Sequence, residues 1–170
     1  DWIAMNYVRL SDPKVREAFC WAFPYDDVRT GVFKDLVVAS SGPNTPTTRG
    51  YPTDGFIFTT DLEKAQQLLD ESGWDTSETL EYWLSASSSS GLSMAQLMQA
   101  NLAVIGVTME IVQREEGALT EFNYGEAPAE ERPHFVSWGW WPDYNDAHNE
   151  MYPNFHTNSI VPNGSNISYY

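Results

Sequence analysis

The apolar positions change period several times along this chain. Trp2 to Val8 alternates well enough for a β-strand. Ser11-Asp12-Pro13 then supplies a helix start, with Asp12 as N-cap and Pro13 at the first helical position. Val15, Ala18, Phe19, Ala22 and Phe23 follow at helical spacing until Pro24, whose ring cannot continue the hydrogen-bond ladder. A short second helix is predicted from Tyr25 or Asp26 to about Phe33.

Residues 39–55 are rich in Ser, Gly, Pro and Thr, turn chemistry with too few apolar residues to pack a regular element. They are predicted to form a long surface loop, of the kind often used for contacts. Thr60 followed by Glu63 reads as a capping box; Leu62, Ala65, Leu68 and Leu69 then form one apolar stripe that Gly73 closes. Thr79 to Ser85 reads as a strand, Ser85 to Ser90 as a loop, Leu92 to Ile105 as a helix ending at Gly106, and Val107 to Gln113 as another strand. A crossover of that length implies parallel neighbours, so the centre of the chain is an α/β unit. Residues 115–132 read as acidic and irregular, His134 to Trp138 as a last strand, and the chain from Pro142 onward as Asp-, Asn-, Pro- and Gly-rich loop.

Composition narrows the function classes. A chain of 170 residues that is 42% hydrophobic and 14% aromatic has material for one packed domain and is no disordered acidic tail. With 24 acidic residues against 9 basic ones, a formal charge of −15, it repels polyphosphates and anionic lipid surfaces, which argues against nucleic acid as a partner. Cys20, the single cysteine, lies in an apolar helical pattern and reads as a core thiol rather than a reactive one. Asp1-Trp2-Ile3 opens directly into strand-like sequence without Met, and Ser168-Tyr169-Tyr170 ends as abruptly, so the sequence reads as cut from something longer.

No Gly-rich phosphate loop, nucleophile elbow or zinc-binding spacing occurs. His148 and His156 with Asp146 or Glu150 could be gathered into a metal site by a folded loop, but solvated loop histidines are the simpler expectation for His134, His148 and His156, and no cofactor is expected. The most informative stretch is Trp138-Gly139-Trp140-Trp141-Pro142-Asp143-Tyr144, where three indoles and a carboxylate follow the end of a strand. Ligands of open α/β sheets sit at the carboxyl ends of strands. Flat apolar surface beside one fixed negative charge suits an organic ligand carrying an ammonium group. Spacing alone leaves a second possibility equally open, in which the tryptophans are core and Asp143 caps a turn.

Four motifs, in order, resemble the extracellular solute-binding proteins of the dipeptide and oligopeptide type. Ser11 to Ala18 resembles the family's "s-D-p-x-V-R-x-A" helix opening, and Thr60 to Trp74 its "Y-D-p-e-K-A-k-x-L-L-x-e-a-G" helix. Leu97 to Val107 resembles "l-Q-x-x-L-x-x-i-G-i", and Gly139 to Tyr144 resembles "G-W-x-a-D-Y". Departures are Pro24 where Asp or Asn is usual, Asp35 where Gly is common, and Ser137 and Trp138 where some peptide binders carry an Arg.

The resemblance implies an α/β fold, one lobe of the two-lobed periplasmic-binding-protein type II architecture, with a mixed sheet and flanking helices. Residues 1–170 would form that single, partial lobe, and the second lobe of the same protein would supply the other wall of the cleft. The implied role is the binding component of an ABC importer, capturing a peptide or similar small organic solute and presenting it to the permease membrane subunits, without catalysis. The implied location is periplasmic or extracellular, with a lipid anchor in the full-length protein as an open alternative. Trp138, Trp140, Trp141, Asp143 and Tyr144 are the implied ligand-binding residues, Asp143 matching the carboxylate that receives a peptide's α-ammonium group and Trp140 the aromatic beside it. Two rival functions remain: a hydrolase using Asp143 and Asp146 as acid and base, which turnover abolished by Asp143→Asn would favour, and a structural or interaction domain with no ligand cleft, which full burial of all three indoles would favour.

Overall fold

The computed structural model describes residues 2–170, so Asp1 lies outside the described residues. In chain order the regular elements are β1 (Trp2–Met5), α1 (Pro13–Ala22), α2 (Tyr25–Asp27, running into a π turn, Val28–Val32), α3 (Leu62–Ser72), β2 (Leu80–Ser85), α4 (Ser89–Val104), β3 (Met109–Arg114), α5 (Glu116–Tyr124), β4 (Phe135–Trp138) and α6 (Ala147–Phe155). Short 3-10 turns occupy Ala129–Glu131 and Thr157–Ser159. The four strands form one mixed sheet in the order β1-β4-β2-β3. β2 is parallel to β3, pairing Leu80 with Met109, and parallel to β4, pairing Tyr82 with Phe135. β1 runs antiparallel to β4, with Trp2 opposite Trp138. The expected parallel pair bridged by a helix is therefore present.

Strand alternation divides the side chains between two faces. Leu80, Tyr82 and Leu84 of β2 point into the main core with Phe135 of β4. They meet Val15, Ala18, Phe19 and Ala22 of α1, Ala65 and Leu69 of α3, and Ala95, Met98 and Leu102 of α4. On the opposite face, Ala4 and Val136 pack with Val161 and Ile167 of the C-terminal segment, and Trp83 lies tilted against Phe122 of α5 with ring centroids 4.8 Å apart.

Helix ends follow side-chain chemistry. Asp12 accepts the Lys14 N–H at 2.8 Å, and Pro13 stands in the first turn of α1. The N-cap of α3 is Asp61, whose carboxylate accepts the Lys64 N–H at 2.9 Å. That corrects the Thr60–Glu63 capping box: Thr60 instead donates to the Phe23 carbonyl at 2.7 Å and accepts the Tyr25 N–H at 3.1 Å, joining α3 to the end of α1. Gly73 ends α3 with φ +65°, a conformation glycine adopts freely. Lys34 and Asp35 hold the same left-handed region at φ +53° and +60°, and the Asp35 carboxylate pairs with Arg29. A Gly at position 35 would carry that backbone without strain, which is the physical content of the departure noted there.

Two helices escaped the hydrophobic pattern. α5 lies within the stretch read as irregular: Glu115 caps it by accepting the Ala118 N–H at 2.9 Å, and at its other end the buried Arg132 guanidinium donates to the carbonyls of Phe122 and Asn123 in the last turn and of Gly125 and Ala127 just beyond it. α6 lies in the tail read as loop, with Asp146 as N-cap and Pro153 inside it. α4 starts inside the serine run, at Ser89, because Ser88 Oγ accepts the Gly91 N–H at 3.1 Å. No helix among the described residues is long and apolar enough to cross a membrane.

Cys20 is half-buried within α1, and burial, with Glu17 adding to it, pushes its thiol pKa up to about 11. It is a poor nucleophile at neutral pH, as its apolar setting predicts. His134 is not a solvated loop histidine: it is fully buried, accepting the Glu81 N–H at Nδ1 (3.0 Å) and facing Glu78 Oε1 with Nε2 (2.9 Å). The backbone N–H at Nδ1 fixes the neutral tautomer that carries its proton on Nε2. Burial lowers its pKa, with Arg9 adding to that and Glu78 opposing it.

Candidate functional site at the carboxyl end of the sheet

Because β2, β3 and β4 are parallel, their carboxyl ends, Ser85, Arg114 and Trp138, lie along one edge of the sheet. Antiparallel β1 places Trp2 beside Trp138 at that edge. Beyond Trp138 the chain leaves the sheet without regular structure until Asp146 caps α6, accepting the His148 N–H at 2.8 Å. A buried amide in the first turn of that helix fixes the intervening loop. Asn149 Oδ1 accepts the Asp143 N–H at 2.8 Å and lies 3.4 Å from the Trp140 indole nitrogen that donates to it.

One side chain thus brings Trp140 and Asp143 together and leaves the Asp143 carboxylate outside the hydrogen-bonding that shapes the loop. Asp143 is exposed, and among the described residues no cation pairs with it. Trp141 projects into solvent at 92% exposure. Trp138 is half-buried, edge-on to Tyr124 with centroids 5.5 Å apart, and its indole N–H is buried without a partner. Tyr144, half exposed, turns toward α6: its hydroxyl meets His148 Nδ1 at 2.7 Å, opening a stacked column of Tyr144, His148, Tyr152 and His156.

Of the residues singled out in the sequence, the structure therefore joins Trp140 and Asp143, projects Trp141 beside them, packs Trp138 partly into the second apolar cluster, and draws Tyr144 into contact with α6. Asp146 is committed to capping α6. A site of fully buried indoles, the mark of a purely structural cluster, is not what Trp141 presents.

Glu150, next to Asn149, is buried and ties the loop at residues 39–55 to α6. Its Oε2 accepts the Thr45 N–H at 2.8 Å, and its Oε1 accepts the Thr48 hydroxyl at 2.8 Å. Asn145 adds a hydrogen bond to the Thr47 carbonyl at 3.3 Å. The loop forms no helix or strand, yet Thr48 within it is buried, so it is docked by polar side chains. Asn149 was missed in the sequence, and Glu150 was considered there only as a conceivable metal ligand, because both sit in a polar run with no apolar period; the Asp146 cap, with two polar residues one turn on, was the available signal. A cavity of about 660 Å³ opens elsewhere, between the π turn and the start of α4, lined by Asp27, Thr30, Ser89, Ser90 and Ser93 among others.

The chain belongs to the bacterial extracellular solute-binding proteins, family 5, whose middle-region model matches residues 1–161. It is similar to the glutathione-binding protein GsiB of Pectobacterium atrosepticum, 26% identical over 99% of this chain and 33% of that protein. It is also similar to the dipeptide-binding protein of Escherichia coli strain K12, 29% identical over 94% of this chain and 29% of that protein. Among solved structures, the periplasmic binding protein DppA of Helicobacter pylori in complex with the peptide STSA superposes with a TM-score of 0.85 at 27% identity, covering 99% of this chain and 32% of that one. The chain spans about a third of the length of the curated relatives it matches. Its fold is the mixed-sheet α/β lobe that the sequence motifs implied.

Proposed function

We propose that residues 1–170 form one lobe, and so one wall of the cleft, of a binding protein that captures a short peptide or similar amine-bearing solute outside the cytoplasm and presents it to the membrane subunits of an ABC importer. On this reading the second lobe comes from the rest of the protein, which is periplasmic or extracellular, with a lipid anchor to the membrane as an open alternative. No chemical step is assigned to it. The observation that carries this reading is the exposed, cation-free carboxylate of Asp143, fixed beside Trp140 by Asn149 at the carboxyl end of the sheet. Family membership and relatives named for glutathione and dipeptides support it. An ammonium group in a closed cleft would form with Asp143 a charge-assisted hydrogen bond of about 1.5–3 kcal/mol. Left open to water, the same pair is worth only about 0–1 kcal/mol, so the second wall contributes by excluding solvent.

Native mass spectrometry of the full-length protein as purified tests the ligand class. A retained ligand with a free amine, in the mass range of short peptides, is expected; a retained ligand without an amine contradicts the reading.

A further inference from the structure

The C-terminal segment carries one short motif twice. Asn163-Gly164-Ser165 and Asn166-Ile167-Ser168 are consecutive Asn-x-Ser triplets in which x is not proline, and no other Asn-x-Ser or Asn-x-Thr triplet occurs in the chain. This is the acceptor pattern for N-linked sugars in proteins exported from the cytoplasm. The two triplets are equivalent as sequence, but the structure separates them.

Asn166 is fully buried. Its Nδ2 donates to the His156 carbonyl at 3.3 Å and to the Tyr170 carbonyl at 3.2 Å, while its Oδ1 accepts the Ser168 N–H at 3.2 Å. A sugar on that nitrogen would displace one of its donated bonds and has no space beside the buried Ile167. The folded chain therefore excludes a glycan at Asn166, whether the sugar is added before folding or after it.

Asn163 is exposed, at a turn pinned on both flanks. Val161 on one side and Ile167 on the other are buried in the cluster that contains Ala4 and Val136. The Asn163 N–H donates to the Ile160 carbonyl at 3.0 Å, the Ser165 N–H to the Pro153 carbonyl at 3.0 Å, and the Asn166 N–H to the Ser159 carbonyl at 2.9 Å. Gly164 lets the turn press against Ser159, because a Cβ at that position would stand 2.7 Å from the Ser159 carbonyl oxygen. The turn is thus anchored by buried side chains and backbone bonds while Asn163 stays open to solvent.

We infer that Asn163 is an N-glycosylation site and that Asn166 is not. The donor is a lipid-linked oligosaccharide. Asn163 Nδ2 forms a bond to the anomeric carbon of the first sugar as the bond from that carbon to the lipid phosphate oxygen breaks; the phosphate leaves with the electron pair, and the amide gives up one proton. The inference rests on the extracytoplasmic location in the proposed function and is independent of the ligand.

The test is intact-mass measurement and peptide mapping of the full-length protein purified from its native host, for the parent, Ser165→Ala and Ser168→Ala. Each variant abolishes one triplet and leaves both asparagines in place. The parent is expected to carry a sugar mapped to Asn163, Ser165→Ala to lose it, and Ser168→Ala to keep it. An unmodified parent, a sugar mapped to Asn166, or a sugar mass that survives Ser165→Ala overturns the inference. An unmodified parent that retains a free-amine ligand leaves the peptide-binding reading standing, whereas a parent glycosylated at Asn163 that retains an amine-free ligand contradicts only that reading.

Discussion

The two sides of this molecule are held together by different forces. Beneath the sheet, α1, α3 and α4 bury Phe19, Leu69, Met98 and Leu102 against Leu80, Tyr82 and Leu84, an apolar core with helices at regular spacing. At the carboxyl edge, α6 and the loop at residues 39–55 are held largely by polar side chains: Asn149 to Trp140 and Asp143, Glu150 to Thr45 and Thr48. Apolar burial is non-directional and tolerates many sequences, whereas a buried carboxylate or amide must meet its partners at defined geometry. The first side supplies stability, and the second fixes Trp140 and Asp143 at the edge where the proposed ligand would meet them.

That contrast can be broken by mutation. Leu102→Ala, at a fully buried position on α4, should destabilise the fold by about 2–5 kcal/mol, the usual cost of such a truncation. Chemical denaturation measures it, and a loss below ~1 kcal/mol would mean that the apolar side is not the main source of stability. Glu150→Ala removes the shared acceptor of Thr45 and Thr48 and should cost about 1–3 kcal/mol locally. Hydrogen exchange is the sharper readout: the Thr45 amide should lose protection while the amides of β2 keep theirs. Equal loss in both places would erase the distinction between the two sides.

Asn149→Ala should affect global stability less, by about 1 kcal/mol, but release Trp140 and the Asp143 loop together. Trp140 fluorescence and ligand affinity should change while the denaturation midpoint barely moves; a large drop in the midpoint with unchanged affinity would make Asn149 part of the scaffold instead. The smallest effect concerns pH. Burial holds the His134 pKa below the ordinary value of 6.5, so as pH falls the unfolded chain takes up the proton first. The contribution of neutral His134 is therefore complete above about pH 6.5 and declines below it. The parent should lose more stability between pH 7.5 and 5.5 than His134→Gln does, and parallel losses would remove His134 as the cause.

The same division explains what could be read from the sequence. The parallel pair β2 and β3, the bridging α4 and the stripe of α3 were legible because apolar residues at period 2 or 3.6 report the face they bury. α5 and α6 were not, because they are short and their ends are set by Glu115, Arg132 and Asp146, whose hydrogen bonds leave no periodic trace. His134 read as polar and therefore solvated, although the partners that satisfy it, the Glu81 N–H and Glu78, lie more than fifty residues away. At the site, Trp140 and Asp143 stood out by chemistry and resemblance. Asn149 did not, since it looks like loop until the fold places its amide between Trp140 and Asp143.

Asp143 is proposed to meet the ammonium group of the ligand in the closed cleft. The most direct test is calorimetric titration of the full-length protein and its Asp143→Ala variant with trialanine and with N-acetyl-trialanine. The parent is expected to prefer the free amine, and Asp143→Ala to weaken trialanine by about 1.5–3 kcal/mol while leaving the acetylated peptide unchanged. Equal affinity of the parent and the variant for trialanine would contradict it.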